Sequence, residues 1–300
     1  IVGLLWLVVG LLQLQPQMFT INLVDGIMKP TVEGQPAAVA ASLNWIIAVT
    51  SNHLVLVNLL IAFVQIGLGL LLLTGIRIRV TVIASCIWAL VVWYGGEGMN
   101  MLLTGQASVL TGAPGAVLFY PLLGLLIYPR ARETDTGVIG RSMMRWFLAG
   151  FWFLAALLQL QPYWWGAGHI SQTLGSLVGL GGLNGLLVDP ILQGFANVTS
   201  HAEISINMLL IVVFLGLGAA LSLVKEEQLR PVLMASIVVS LGLWWGVQGF
   251  GMIFTGTATD FNSGLLLIIM ALACWSRVQI VRTIGSPAEA KKILVESSSI

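Results

Sequence analysis

Charge is the scarcest commodity in this sequence. Of its 300 residues, 8% are charged and 58% are hydrophobic, and the mean hydropathy is +0.97. A soluble domain carries roughly 25% charged residues, so no soluble fold hides this much apolar surface. Cysteine is nearly absent as well. Cys86 and Cys274 both fall inside apolar runs, where cysteine behaves as a small hydrophobe, and there is no Cys-x-x-Cys or Cys/His cluster. A disulfide framework and a zinc motif are therefore unsupported. The chain also lacks a phosphate loop, a nucleotide-binding glycine fingerprint, a Ser/His/Asp set and a basic patch for nucleic acid.

Long apolar runs are what the sequence has instead. They are continuous and do not alternate with period two, which argues for helices over a barrel. A spanning helix needs ~20 mainly apolar residues. The runs predict an all-α integral membrane protein with about eight transmembrane helices, near residues 1–14, 53–75, 80–94, 116–128, 146–160, 204–224, 231–246 and 264–275. Ile1 already lies in an apolar run without a basic flank, so a preceding start is expected, and no cleaved signal peptide is. Between the first two runs, Val39, Leu43, Ile46, Ile47 and Thr50 recur at helical spacing beside Trp45. That pattern predicts a short helix, lying in the interface plane or packed on the bundle top.

The sequence then repeats itself. Leu11 to Pro16 reads Leu-Leu-Gln-Leu-Gln-Pro and returns identically at Leu157 to Pro162. Asn58 followed by Gly67-Leu68-Gly69 returns as Asn207 followed by Gly216-Leu217-Gly218. A glycine-rich stretch from Trp93 through Glu97 to Thr104-Gly105 returns from Trp244 through Gln248 to Thr255-Gly256. An even number of spans in each half predicts two parallel four-helix repeats, related by an axis along the membrane normal. The expected boundaries are 1–128 for the first repeat, 129–145 for a cytoplasmic linker, 146–276 for the second repeat and 277–300 for a cytoplasmic tail, helical around 288–295. In this arrangement Arg77, Arg79, Arg130, Arg132, Arg141, Arg145, Lys225, Arg230, Arg277, Arg282, Lys291 and Lys292 fall on one side, and Lys29 alone on the other. The positive-inside rule places the twelve, and both termini, in the cytoplasm.

At Leu11 to Pro16 and Trp93 to Gly115 the chain resembles a group of uncharacterised bacterial multi-pass membrane proteins. Their pattern is a Leu-Gln-Leu-Gln-Pro turn, a Trp-x-x-Gly-Glu-Gly-x-Gly stretch with Leu-Thr-Gly, and a Leu-Thr-Gly-Ala-Pro-Gly-Ala lead into the next helix. Leu110 to Ala116 matches the last closely, whereas Asn100 stands where the pattern has glycine. Thr259 to Gly264 is similar to a Thr-Asp-Pro-Asn-Ser-Gly form, with Phe261 replacing proline. Four-span halves of this kind also look like the DoxX/DoxD-type family. That resemblance implies work beside thiol- or sulfur-oxidising, quinone-linked systems.

Glu97 carries the sharpest chemistry, because an ionisable group in a membrane segment is costly. One reading makes it a proton or cation ligand, or the hydrogen-bond partner of a quinone-like head group. The other makes it a structural acceptor for N–H groups of its own glycine turn, a role Gln248 fills as an amide. Thr104 and Thr255 are candidates to cap the freed backbone. Asn58 and Asn207 are candidates to bond across helices. His53 and His201 start spans in related positions and read as interfacial anchors more readily than as metal ligands. Asp260 and Asn262 read as a turn and helix cap. The function expected is an accessory or scaffold subunit of a membrane redox complex. Loops 17–52 and 161–203 would dock other subunits, lipids would surround it, and a quinone or lipid would sit between the repeats. The competing reading is a small-molecule or ion transporter using Glu97 and the glycine breaks.

Overall fold

A computed structural model describes residues 1–128, 140–179, 181 and 183–275. The described residues are all helical, without strands. The helices are α1 (Val2–Leu12), α2 (Ala37–Asn52), α3 (Leu54–Thr74), α4 (Ile78–Gly95), α5 (Phe119–Ile127), α6 (Arg141–Gln159), α7 (His169–Gly175), α8 (Asn184–Leu187), α9 (Asp189–Ser200), α10 (Glu203–Leu223), α11 (Leu229–Gly246) and α12 (Asn262–Cys274). Five stretches are long and apolar enough to cross a membrane: α3, α4, α6, α10, and Glu226–Gly246, which contains α11. Helices α1, α5 and α12 occupy three of the remaining expected spans but hold only 11, 9 and 13 residues. Pro16 follows α1, and irregular turns precede α5 and α12.

Packing follows chain order. α1 lies on α3 and α6 lies on α10, while α4 meets α5 and α11 meets α12. Small residues let α1 and α3 approach until a Cβ on Gly69 would stand 2.6 Å from the Leu7 nitrogen and 2.9 Å from the Gly3 carbonyl oxygen. Helices α5, α6 and α12 join the two groups through one continuous apolar core. Ile1, Leu73, Ile78, Ile127, Arg141 and Trp275 line a single cleft of about 980 Å³, so the ends carrying these residues gather at one end of the bundle. There Arg145 reaches over the carbonyls of Leu221 and Val224, at the C-terminus of α10, and pairs with Glu226 at 3.5 Å. A cation favours that position because helix C-terminal carbonyls lack partners and carry partial negative charge.

Two expectations need correction. Residues 161–203 are not a plain loop: α7, α8 and α9 lie inside them. Glycine-rich composition masked the apolar spacing of Ile170, Leu174, Val188 and Leu192, all of which are buried. The linker also ends earlier than expected, since Arg141 and Arg145 belong to α6. Its remaining part, with Arg130 and Arg132, and the tail with its expected helix at 288–295 lie outside the described residues.

The α1–α3 contact is directly testable. Gly69→Ala forces a methyl into the Leu7 backbone and should destabilise the protein by about 1–3 kcal/mol. Gly67→Ala, one turn face away with open space around its Cα, should cost less than about 0.5 kcal/mol. Thermal melts of both variants in one detergent check this.

Candidate functional site

Two turns of unusual backbone close the bundle opposite the end that carries Arg141 and Arg145. Gly98, Met99, Asn100 and Met101 hold φ of +54°, +55°, +48° and +60°, and Gly249, Phe250, Gly251 and Met252 hold +53°, +57°, +66° and +59°. Left-handed backbone costs a residue with a Cβ about 1–2 kcal/mol, so the surroundings must hold these turns in place. Thr104 Oγ1 donates to the Met101 carbonyl at 2.8 Å and accepts from the Gln106 amide, and Thr255 does the same with Met252 at 2.7 Å and Thr257. Trp93 Nε1 donates to the Pro114 carbonyl at 2.6 Å, and Trp244 Nε1 to that of Phe261 at 2.7 Å. Gln35 adds a bond from its Nε2 to the Gly98 carbonyl at 2.8 Å.

The two loops also cross. Gln15 Nε2 donates to the Ala258 carbonyl at 3.4 Å, and Gln161 Nε2 donates to the Ala107 carbonyl at 3.3 Å. The second glutamine of each Leu-Gln-Leu-Gln-Pro motif thus bonds to the distant loop rather than its own. The turn glutamine Gln248 is buried and fully used: Oε1 accepts from the Gly264 amide at 3.0 Å, while Nε2 donates to the Val109 carbonyl and to Ser263 Oγ, both at 2.8 Å.

Glu97 stands in the matching place and is only half used. Its Oε1 accepts from the Val117 amide at 3.3 Å, not from its own glycine turn. Its Oε2 is shut off from solvent and has no hydrogen-bond partner. Asp260, arriving from the far loop, sets its carboxyl beside that of Glu97. Both residues lie past the helix ends, Glu97 after Gly95 and Asp260 before Asn262. The Asn262 amide donates to Asp260 Oδ1 at 2.6 Å.

The pair forms the floor of a cavity of about 840 Å³ enclosed by α1, α2, α3 and α4. Its walls are mostly apolar, and Leu60, Ile87 and Val91 at its edge are 56%, 60% and 52% exposed. Besides Glu97 Oε2, four buried polar atoms on its lining lack partners: Gln13 Oε1, Gln65 Oε1, Trp88 Nε1 and Tyr120 Oη. No family model matches this chain, and neither does any curated protein or solved structure. The site must therefore be interpreted from its own chemistry. Buried polar groups are normally paired, and each that is not costs about 1–3 kcal/mol. Four of them beside a carboxyl pair concentrate such groups on one cavity; in the other half Gln159 also leaves both amide atoms unpaired.

The other sequence candidates fall elsewhere. Asn58 and Asn207 each donate to a carbonyl at the end of the neighbouring helix, Gln13 at 2.8 Å and Gln159 at 3.1 Å. His53 is exposed where α2 meets α3, and His201 Nδ1 contacts the Asn197 carbonyl at 2.8 Å. Among the described residues no group of three or more His, Cys, Asp or Glu side chains is placed to hold a metal. Asp260 and Asn262 do form the expected turn, but Asp260 also joins Glu97, which its helix-cap appearance concealed. Glu203 carried no signal beyond being an acid at a span start. It is 8% exposed and accepts from the Ile170 and Ser171 amides, both at 3.1 Å, so it caps α7.

The contrast between the two turns gives a test. Gln248→Glu removes both donors from buried acceptors and should cost about 2–4 kcal/mol. Glu97→Gln keeps the Val117 bond and should change stability by less than about 1 kcal/mol. Detergent melting curves distinguish the two.

Proposed function

We propose that this chain is a membrane-embedded holder of a lipid-soluble molecule, bound in the cavity between α1, α2, α3 and α4 with its polar end against Glu97. The observation that carries this reading is the cavity itself: an apolar chamber of about 840 Å³ with five unpartnered polar atoms on its lining. Ligand sites of this size are mostly apolar with a few placed polar groups. The exposed apolar residues at its rim suit access from lipid rather than water. A quinone, a lipid or another amphiphile of that size suits the walls.

In this proposal the chain crosses the inner membrane eight times, as two four-helix units inserted in the same sense. The short helices α1, α5 and α12 and their adjoining turns complete the crossings. Support comes from the recurrence of bonds. Trp6 Nε1 meets Ser85 Oγ at 2.7 Å and Trp152 Nε1 meets Ser236 Oγ at 3.0 Å, alongside the paired Asn, Gln, Thr and Trp contacts above. The arginine-bearing end then faces the cytoplasm by the positive-inside rule. The role fits an accessory subunit of a membrane complex, as the DoxX/DoxD-type resemblance implies. Exposed apolar residues on α9, Phe195 and Val198, offer a docking face within 161–203. A transporter is the second reading, favoured by the Glu97–Asp260 carboxyl pair.

The second half supplies a control. α3 and α10 have the same 21-residue length, with Asn58 and Asn207 at the same depth, so Gln65 corresponds to Phe214. Counting forward from Val117 and Gly264, Tyr120 corresponds to Leu267. Gln65→Phe with Tyr120→Leu should remove two of the polar groups on the cavity lining. The wild-type chain, extracted in mild detergent, should release about one lipophilic molecule per chain to organic solvent, read by mass spectrometry. The double variant should melt as wild type does and release none. Equal lipophile content in both proteins overturns the reading.

A further inference from the structure

The floor of the cavity also discriminates by charge. Glu97 and Asp260 bring two carboxyls together from opposite halves of the chain, and Tyr120, which is 1% exposed, faces both. These are the titratable groups that face one another there. The cavity lining includes no Lys, Arg or His. The Lys29–Asp25 pair, on the neighbouring turn, lies on the outer surface with side chains 60% and 49% exposed. An anionic head group would meet two carboxyls and no cation, so phosphate, sulfate and carboxylate ligands are disfavoured. The unpartnered oxygens of Gln13, Gln65 and Glu97 are acceptors, Trp88 Nε1 and Tyr120 Oη are donors, and Trp6, Trp45, Trp88 and Tyr94 present aromatic surface to the same chamber. Acceptors together with aromatic rings are the surroundings a desolvated ammonium group finds favourable.

We propose that the occupant is a cationic amphiphile, a protonated alkyl amine or a quaternary ammonium with an apolar tail, and that it binds in exchange for a proton held by the Glu97–Asp260 pair. The proposal rests on the reading of the cavity as a ligand site and names the head group. The exchange balances: one monovalent cation enters, one proton leaves a carboxyl for water, and the net charge of the site is unchanged. Two adjoining carboxyls resist joint ionisation, so one of them holds a proton more tightly than an isolated carboxyl does. Raising the pH removes the competing proton and strengthens cation binding. Gln248, the counterpart of Glu97, has no carboxyl to ionise, and Phe214 and Leu267, both fully buried, stand in the second half where Gln65 and Tyr120 stand in the first. One cation site per chain follows.

The test uses the whole chain in phosphatidylcholine nanodiscs. Dodecyltrimethylammonium is titrated against an uncharged decyl-substituted quinone, followed by quenching of the cavity tryptophans and by a pH dye in weak buffer. The expected result is binding of the ammonium at least tenfold tighter than the quinone, tightening with pH, with about one proton released per cation. Glu97→Gln and, independently, Asp260→Asn should weaken the ammonium at least tenfold and leave the quinone unchanged. Equal affinity for both probes, no proton release, or equal loss of both probes in the carboxyl variants overturns the cationic assignment while leaving the cavity reading intact. Failure of both probes to bind, with the Gln65→Phe/Tyr120→Leu variant indistinguishable from wild type, overturns both.

Discussion

Every backbone group freed where a helix breaks inside the protein must find a partner inside the protein, and that constraint shapes the closed end of this bundle. Unwinding at 98–111 and 249–261 releases amides and carbonyls that water does not readily serve. The chain answers with side chains that reach across: Gln15 to Ala258, Gln161 to Ala107, and Gln248 to Val109. Each loop is completed by residues from the other half of the sequence. Pulling the halves apart would therefore strand buried carbonyls at about 1–3 kcal/mol apiece.

The same framework tolerates two different fillings. In the second half, Phe214 stacks on Trp152 with ring centroids 5.4 Å apart, and Leu267 is fully buried. In the first half Trp6 instead meets Tyr120, at 4.7 Å, and Gln65 replaces the phenyl ring. A phenyl ring and a leucine bring no polar atoms, whereas an amide and a phenol bring atoms that need partners. Two side-chain changes on an otherwise parallel set of bonds thus make the interior of the first half the more polar of the two. Glu97 against Gln248 extends the divergence to charge, since an amide can donate to Val109 and Ser263 whereas a carboxylate only accepts.

Much of this was legible in the residues, for identifiable reasons. α3 and α10 are uninterrupted apolar runs, and a run of that length admits few alternatives. Asn58 and Asn207 stood out as amides among leucines, and both bond across helices as polar groups in such a setting must. Glu97 stood out for the same reason. Helices α7 to α9 were hidden by glycine, which dilutes periodicity without preventing a short helix. Glu203 was hidden because a helix-capping acid is recognised by what it caps, and α7 lies far from it in sequence. The partnership of Glu97 with Asp260 was hidden because it depends on two loops crossing, and composition carries no record of that. The chamber left no trace, being a property of where side chains stop.

An unsatisfied buried polar atom is a cost that selection can remove with a single substitution, and the second half shows which substitutions do so. Phe214, Leu267 and Val239 occupy the places of Gln65, Tyr120 and Trp88. They leave nothing unpaired, and the helices around them keep the same Trp–Ser and Asn–carbonyl bonds. A fold that needs only to stand would be expected to use the apolar set in both places. Retaining Gln65, Trp88 and Tyr120 beside a carboxyl pair runs against stability at each position, by amounts that add to several kcal/mol. Water alone is a poor compensation, because most of the lining is hydrocarbon and offers it no hydrogen bonds. In the reading proposed above, what offsets the cost is apolar along most of its length and polar at one end, the shape of a molecule dissolved in the membrane.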